Sequence, residues 1–198
     1  MLNKILLNNE QYESSEADLP CLITYGEKTG GSQFTMTLTS NLFLGGSKIL
    51  ILTAYPMARD NFMEQIQGRE GDVAYVESVE QLEQNKDAQA IILKSGDEEL
   101  FLRVVSGLED IGERMILVKN IEVFNEKVFS FILGFQKIIL SGDIDECEAK
   151  DLIMVSKFRT VVAFSKPKVK LPFELPELQK YQGYFWGEAR KGVVRLEE

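Results

Sequence analysis

Residues 26–33, reading GEKTGGSQ, are the part of the chain whose types and spacing could do chemistry. Gly26 and Gly31 stand six positions apart counting both ends, the glycine spacing of a G-x-x-x-x-G-K-[ST] phosphate loop. A short apolar run over 21–25 precedes them. A run that can be helical over 32–44 follows, Gly45-Gly46 stops it, and a second apolar run covers 48–52. Strand, glycine loop, helix, strand is the layout in which backbone N–H groups and a helix N-terminus face an anion. The chemistry of the loop does not match its frame. Ser32 stands where the lysine belongs and Gln33 where the Ser or Thr belongs. Lys28, inside the loop, either swings toward a phosphate or faces solvent. Thr29 and Gly30 complete the candidate phosphate-binding set of Gly26, Lys28, Thr29, Gly30, Gly31, Ser32 and Gln33.

The elements that must position this loop follow from hydrophobic pattern. Apolar runs predict strands over 4–7, 73–76, 88–93, 115–118, 137–140 and 160–164. Helical spacing predicts helices over 57–67, 78–84, 98–108 (with Asp97 as cap), 125–135 and 146–155. Continuous apolar strands alternating with helices of about ten residues imply a mainly parallel sheet covered on both faces. Segments 184–186 and 193–196 read as a closing β-hairpin at the sheet edge. Residues 1–20 read as a polar N-terminal lead-in, and 21–198 as one domain.

Composition removes several function classes. The 198 residues carry a net charge of −9, and 44% are hydrophobic, enough for a real core. The acidic balance argues against duplex nucleic acid as a partner of the isolated chain, since DNA affinity comes from clustered Lys and Arg on phosphates. Lys166, Lys168 and Lys170 form the one basic cluster, read either as a patch or as a solvated loop. There is no histidine, which removes His-based triads, most zinc sites and the usual general base near neutral pH. Cys21 and Cys147 read as two buried thiols. The first twenty residues turn acidic too soon for a signal peptide. No run approaches the ~18 apolar residues of a membrane helix. A cytoplasmic location is expected.

Taken together, residues 22–60 resemble the first βαβ unit of P-loop ATPases of the RecA/KaiC and HerA/FtsK kind. The resemblance implies a three-layer RecA-like α/β fold with a C-terminal β-hairpin. It assigns 115–118 as the Walker B strand and 137–141 as a sensor-like strand. It also implies departures. A Walker B strand should be followed by an Asp for Mg²⁺, and here Lys119 and Asn120 follow. A lysine in that slot repels a divalent cation: two unit positive charges at ~4 Å cost several kcal/mol at a protein-like dielectric. Glu122 is the remaining candidate for a water-activating base, or is a surface glutamate. Ser141 and Asp143 fall where a γ-phosphate sensor would sit, or form a strand-to-helix turn. Arg190 and Lys191, at the hairpin tip, are candidates for a basic finger completing a neighbouring subunit's site, or are a charged tip. The expected function is a P-loop ATPase-fold protein with lost catalytic residues, acting as a non-hydrolysing assembly or regulatory subunit. The alternatives are a nucleotide- or phosphate-binding protein, or an ATPase with Lys28 and Glu122 as displaced catalytic residues. No metal is expected. ATP or ADP without Mg²⁺ is the cofactor to test, and a homo-oligomer or an active ATPase paralogue the partner.

Overall fold

A computed structural model describes residues 4–93 and 98–197 of the chain. The strands are β1 (Lys4–Leu7), β2 (Glu10–Gln11), β3 (Cys21–Thr24), β4 (Ile49–Thr53), β5 (Val73–Val76), β6 (Ala90–Leu93), β7 (Met115–Lys119), β8 (Ile138–Gly142), β9 (Thr160–Ala163), β10 (Gln182–Gly187) and β11 (Lys191–Glu197). The helices are α1 (Gly31–Leu44), α2 (Pro56–Gln65), α3 (Val79–Asn85), α4 (Glu98–Gly107) and α5 (Glu126–Ile132). The eleven strands among the described residues join one sheet in the order β2-β1-β11-β10-β9-β3-β8-β7-β4-β6-β5. The run from β9 to β5 is parallel, and β10, β11, β1 and β2 extend it in antiparallel fashion.

Continuous apolar strands need cover on both faces, and two separate cores supply it. On one face, Ile23, Ile51, Leu117 and Ile139 pack with Phe34, Met36 and Phe43 of α1 and Phe62 of α2. On the other, Leu22, Leu50, Ile116 and Leu140 pack with Leu82 of α3, Phe101 and Val104 of α4, and Phe129 of α5. The expected three-layer α/β architecture is therefore observed.

Helix α1 is buried nearly all round, although its sequence alternates apolar residues with Thr and Ser. Two of its four buried hydroxyls bond back to the preceding turn, and those of Thr37 and Ser40 have no partner among the described residues. Thr35 Oγ1 donates to Gly31 O (2.9 Å) and Thr39 Oγ1 to Thr35 O (2.8 Å), so these polar groups are satisfied inside the helix. The helix ends where Gly46 adopts a left-handed φ of 100°, with Ser47 N donating to Leu42 O (3.0 Å) and Gly46 N to Phe43 O (2.9 Å). This is a Schellman closure, which needs glycine at that position.

Two expectations are corrected. No helix forms over 146–155. The buried residues there, Ile144, Cys147, Ala149 and Ile153, do not recur at helical spacing. The backbone instead makes three-residue turns (Cys147 N to Ile144 O, Lys150 N to Cys147 O, Ile153 N to Lys150 O) and ends in a 3₁₀ turn at Val155–Lys157. Both oxygens of the Asp145 carboxylate accept the single backbone N–H of Lys168 (2.8 and 2.9 Å), tying this segment to the 166–175 strap. The hairpin does not form the sheet edge either. Strand β1, from the lead-in, pairs outside β11 with Ile5 opposite Leu196, and β2 pairs outside β1. The Asp97 cap lies outside the described residues. Among the described residues, no helix is long and apolar enough to cross a membrane.

Arg114, just before β7, is 1% exposed. Its guanidinium donates to Asp110 Oδ1 (2.8 Å), Ala88 O (2.9 Å) and Lys86 O (2.7 Å), joining the turn before β7 to the turn before β6. Burial raises the Asp110 carboxyl, but hydrogen bonds from Arg114 and Lys48 outweigh it and hold the group below its ordinary range. Replacing Arg114 by Ala leaves buried acceptors without a donor. The expected cost is about 3–5 kcal/mol, a fall in Tm on the order of 10 °C. Lys48→Ala, which removes a half-exposed ion pair to the same Asp110, should cost under about 1 kcal/mol. Urea unfolding of both variants checks the contrast.

Candidate functional site

Residues 25–30 connect β3 to α1 at the carboxyl end of the parallel strands, where α/β sheets place their ligand crevices. Both neighbouring strands pin the start of the loop. Tyr25 N donates to Gly142 O at the end of β8 (3.1 Å), and Gly26 N donates to Ser165 Oγ just beyond β9 (3.1 Å). Thr29 Oγ1 closes the loop on Gly26 O (2.9 Å). Lys28 and Gly30 both have positive φ, 57° and 89°. The first backbone bond of α1 is Phe34 N to Gly30 O (3.0 Å). The N–H groups of Gly31, Ser32 and Gln33 are therefore the open ones at the helix start.

Gly26 to Gln33 line a cleft of about 760 Å³ whose other wall is Asn61, Glu64 and Gln65 of α2. All seven candidate loop residues lie together here. The cleft holds one cation, the exposed Lys28, against two carboxylates, Glu27 and Glu64. Its side chains offer no net positive charge to a polyphosphate.

Tyr25, which the glycine spacing does not single out, fills the space under the loop. It is 9% exposed. Its ring lies so close to Gly31 that a Cβ there would overlap it, so Gly31 is needed for close approach. Its hydroxyl accepts from Ser141 Oγ (3.3 Å), and Ser141 Oγ is 2.7 Å from Thr35 Oγ1 of α1. Burial pushes the phenol up to about 12, against hydrogen bonds from Ser141 and Ser32 and with the charge of Glu122 adding to the rise.

Register places the other candidates. Thr53 is paired with Lys119, Lys119 with Ser141, and Ser141 with Ile23. Paired residues of parallel strands share a face. Thr53, Lys119 and Ser141 thus form a row beneath the start of α1, with Tyr25 at its end. Lys119 is 4% exposed. Burial brings its amine down to about 8, with Glu122 opposing the shift. Glu122 is held in place: Oε2 accepts Asp143 N (3.0 Å) and Oε1 accepts Asn120 Nδ2 (3.3 Å). Asn120 has a left-handed φ of 66°, donates its N–H to Ser141 O (2.7 Å), and keeps a buried Oδ1 with no partner among the described residues. Gly142 has φ 153°, and a Cβ there would overlap Glu122 Oε2. Asp143 Oδ1 accepts Asp145 N (3.0 Å) in a local turn.

Arg190 and Lys191 are not brought to this site. Gly187, at the hairpin tip, pairs with Thr160 at the start of β9, so the tip lies at the opposite end of the sheet from the loop. Arg190 sits 5.2 Å over the Tyr12 ring.

A divalent cation of the kind the resemblance implies would need oxygen ligands where Lys119 stands. The residues do not fit it. An ammonium ends β7, Gln33 faces the outer cleft, and no cluster of metal-ligating side chains occurs among the described residues.

No protein-family model matches this sequence, and no curated protein does. Solved structures do match. The chain is similar over 100% of its length to a structure of EssC (ATPases 2 and 3) from Geobacillus thermodenitrificans, with a TM-score of 0.55 and 13% identity. It is similar over the same span to the cytoplasmic domain of EssC, with a TM-score of 0.58 and 12% identity. It covers 41% and 42% of those two chains, about two-fifths of their length. The fold is the mainly parallel α/β fold that these EssC structures share.

The Lys119 amine gives the site a pH signature. Below about pH 8 it is charged in both folded and unfolded chains, and its burial is a constant cost. Between about 8 and the unfolded value of 10.5 the folded chain holds fewer protons, so stability rises with pH. Relative to Lys119→Met, the wild type should gain about 2–3 kcal/mol between pH 7 and pH 10. Denaturant unfolding of both proteins across that range measures it, and other titrating groups cancel in the difference.

Proposed function

We propose that this chain is a P-loop ATPase-fold module that does not hydrolyse ATP and acts through assembly with other protein subunits. The observation that carries the reading is Lys119. By the resemblance this buried lysine takes the position of an anionic metal ligand, and the neighbouring carboxylate, Glu122, accepts a backbone and an amide N–H. Ser32 and Gln33 at the loop positions act in the same direction: neither supplies the charge that holds a terminal phosphate. The similarity to EssC structures, one described as containing ATPases 2 and 3, supports the fold from which this reading starts. A homo-oligomer or an active paralogue is the partner this reading calls for, and Arg190 with Lys191 is the basic pair such a subunit would offer across a contact.

A second reading has one observation in its favour. The open N–H groups of Gly31, Ser32 and Gln33 face a cleft of about 760 Å³, which suits an anion bound without metal.

Thermal unfolding with ATP, ADP and GTP, each with Mg²⁺ or with EDTA, tests both, alongside a phosphate-release assay. The expected result is no release above the blank and no Mg²⁺-dependent shift. A ligand at ~100 times its Kd would stabilise by about 2.7 kcal/mol, roughly 5–10 °C for a chain of this size. A shift of that size requiring Mg²⁺, or turnover lost in Glu122→Gln, would overturn the proposal. A shift of that size in EDTA would favour the second reading.

A further inference from the structure

We infer that the outward face of the 166–175 strap is a docking surface for a short segment of a partner protein that carries both acidic and apolar side chains. The inference deepens the assembly reading above, on which it rests for a protein partner, and names the chemistry that partner presents.

Burial alternates along the strap. Lys166, Lys168 and Lys170 are exposed, while Val169, Leu171 and Phe173 are half-buried and pack on the core beneath. Phe173 lies against Tyr184 and Trp186, with ring centroids 5.2 and 6.0 Å away. The segment is fixed at three points. Asp145 accepts the N–H groups of Lys168 (2.8 Å) and Val169 (3.4 Å). Just before the strap, Ser165 Oγ accepts Gly26 N (3.1 Å). Beyond it, Tyr181 lies against Gly30, where a Cβ would meet the Tyr181 ring at 3.4 Å. A partner therefore meets a backbone that is already ordered, which lowers the entropy lost on docking.

The strap curls around a concavity of about 770 Å³ lined by residues 166–175 alone. That lining sets three lysines against one carboxylate, Glu174, on a chain whose net charge is −9. Among the described residues, Lys166, Lys168 and Lys170 form no ion pair. An occupant has to match both parts of the lining, with carboxylates for the ammonium groups and apolar side chains for the half-buried aliphatic and aromatic ones. A protein segment carries both. A nucleic acid suits the surface less well. Three lysines make few phosphate contacts, and affinity for a duplex grows with their number. Exposed Glu146 and Glu148, next to the Asp145 tie, and Glu177 beyond the strap would repel a longer polyanion.

The test titrates the full chain with a short synthetic peptide of alternating Glu and Leu while the fluorescence of Trp186, the single tryptophan, is followed. Phe173 stacks on that indole, so occupation of the strap should change its emission. Calorimetry gives the affinity without relying on the indole. Saturable binding that weakens as salt rises is expected. The same peptide with Gln for Glu should bind about 10-fold more weakly, and so should the Glu peptide to Lys166→Gln/Lys168→Gln/Lys170→Gln, since three exposed charge pairs are lost in each case. The corresponding triple Arg variant should restore binding. All three lysines are exposed, so these variants should unfold at the wild-type temperature. No binding, equal affinity for the Glu and Gln peptides, or undiminished affinity in the Gln variant would overturn the inference. Tighter binding of a single-stranded oligonucleotide than of the peptide at equal charge would overturn the partner class. Phosphate release by the wild type is a separate outcome: it would sink the non-hydrolysing part of the proposed function and leave these titrations readable.

Discussion

A parallel sheet has no solvent face, and that constraint organises this molecule. Each strand from β9 to β5 must be covered on both sides. Every crossover therefore runs over a face, and every strand delivers its carboxyl end to the same edge. Tyr25, Thr53, Lys119 and Ser141 meet there because β3, β4, β7 and β8 are neighbours in the sheet, although β4 is the next strand after β3 in sequence and lies three places away. The long span of α1 across β8 and β7 is what separates them. Thr35 and Thr39 bond back to the preceding turn, which satisfies two of its buried hydroxyls, while those of Thr37 and Ser40 are buried with no partner among the described residues.

Placing charge at that edge carries a cost set by the same burial. A carboxylate there is useful when a divalent cation neutralises it. Lys119 keeps its proton below about pH 8, so its burial is a cost there, and Glu122 stands near enough to offset part of it. Glu122 is itself held by Asp143 N and Asn120 Nδ2, which fix its position and limit its chemistry. The requirement for glycine at 142 belongs to the same arrangement, because any side chain there would displace the Glu122 carboxylate. Lys119, Asn120, Glu122, Gly142 and Asp143 behave as one structural unit, and changing one alters the surroundings of the others.

Much of this was legible in the chain. Apolar runs located the parallel strands, glycine pairs located the end of α1, and the glycine spacing located the loop. The helix expected over 146–155 was misread because its apolar residues are numerous enough to suggest a period they do not keep, and because Asp145 is recruited by backbone 23 residues away. The hairpin was misplaced because the apolar run over 4–7 predicts a strand but carries no sign that it pairs outside β11. Arg114 was invisible as a buried group, since an arginine beside a strand ordinarily reads as solvated. Tyr25 was passed over for a different reason. It was counted as the last residue of an apolar run, whereas the useful signal was the pairing of a bulky aromatic just before the first loop glycine with a second glycine at 31 that has to make room for it.

Volume and hydrogen bonding under the loop come from one side chain. The Tyr25 ring fills the space against Gly31, and its hydroxyl accepts from Ser141 without bringing charge. Tyr25 under the loop and Lys119 on β7 are thus mutually consistent through Ser141, which touches the first by hydrogen bond and neighbours the second in register.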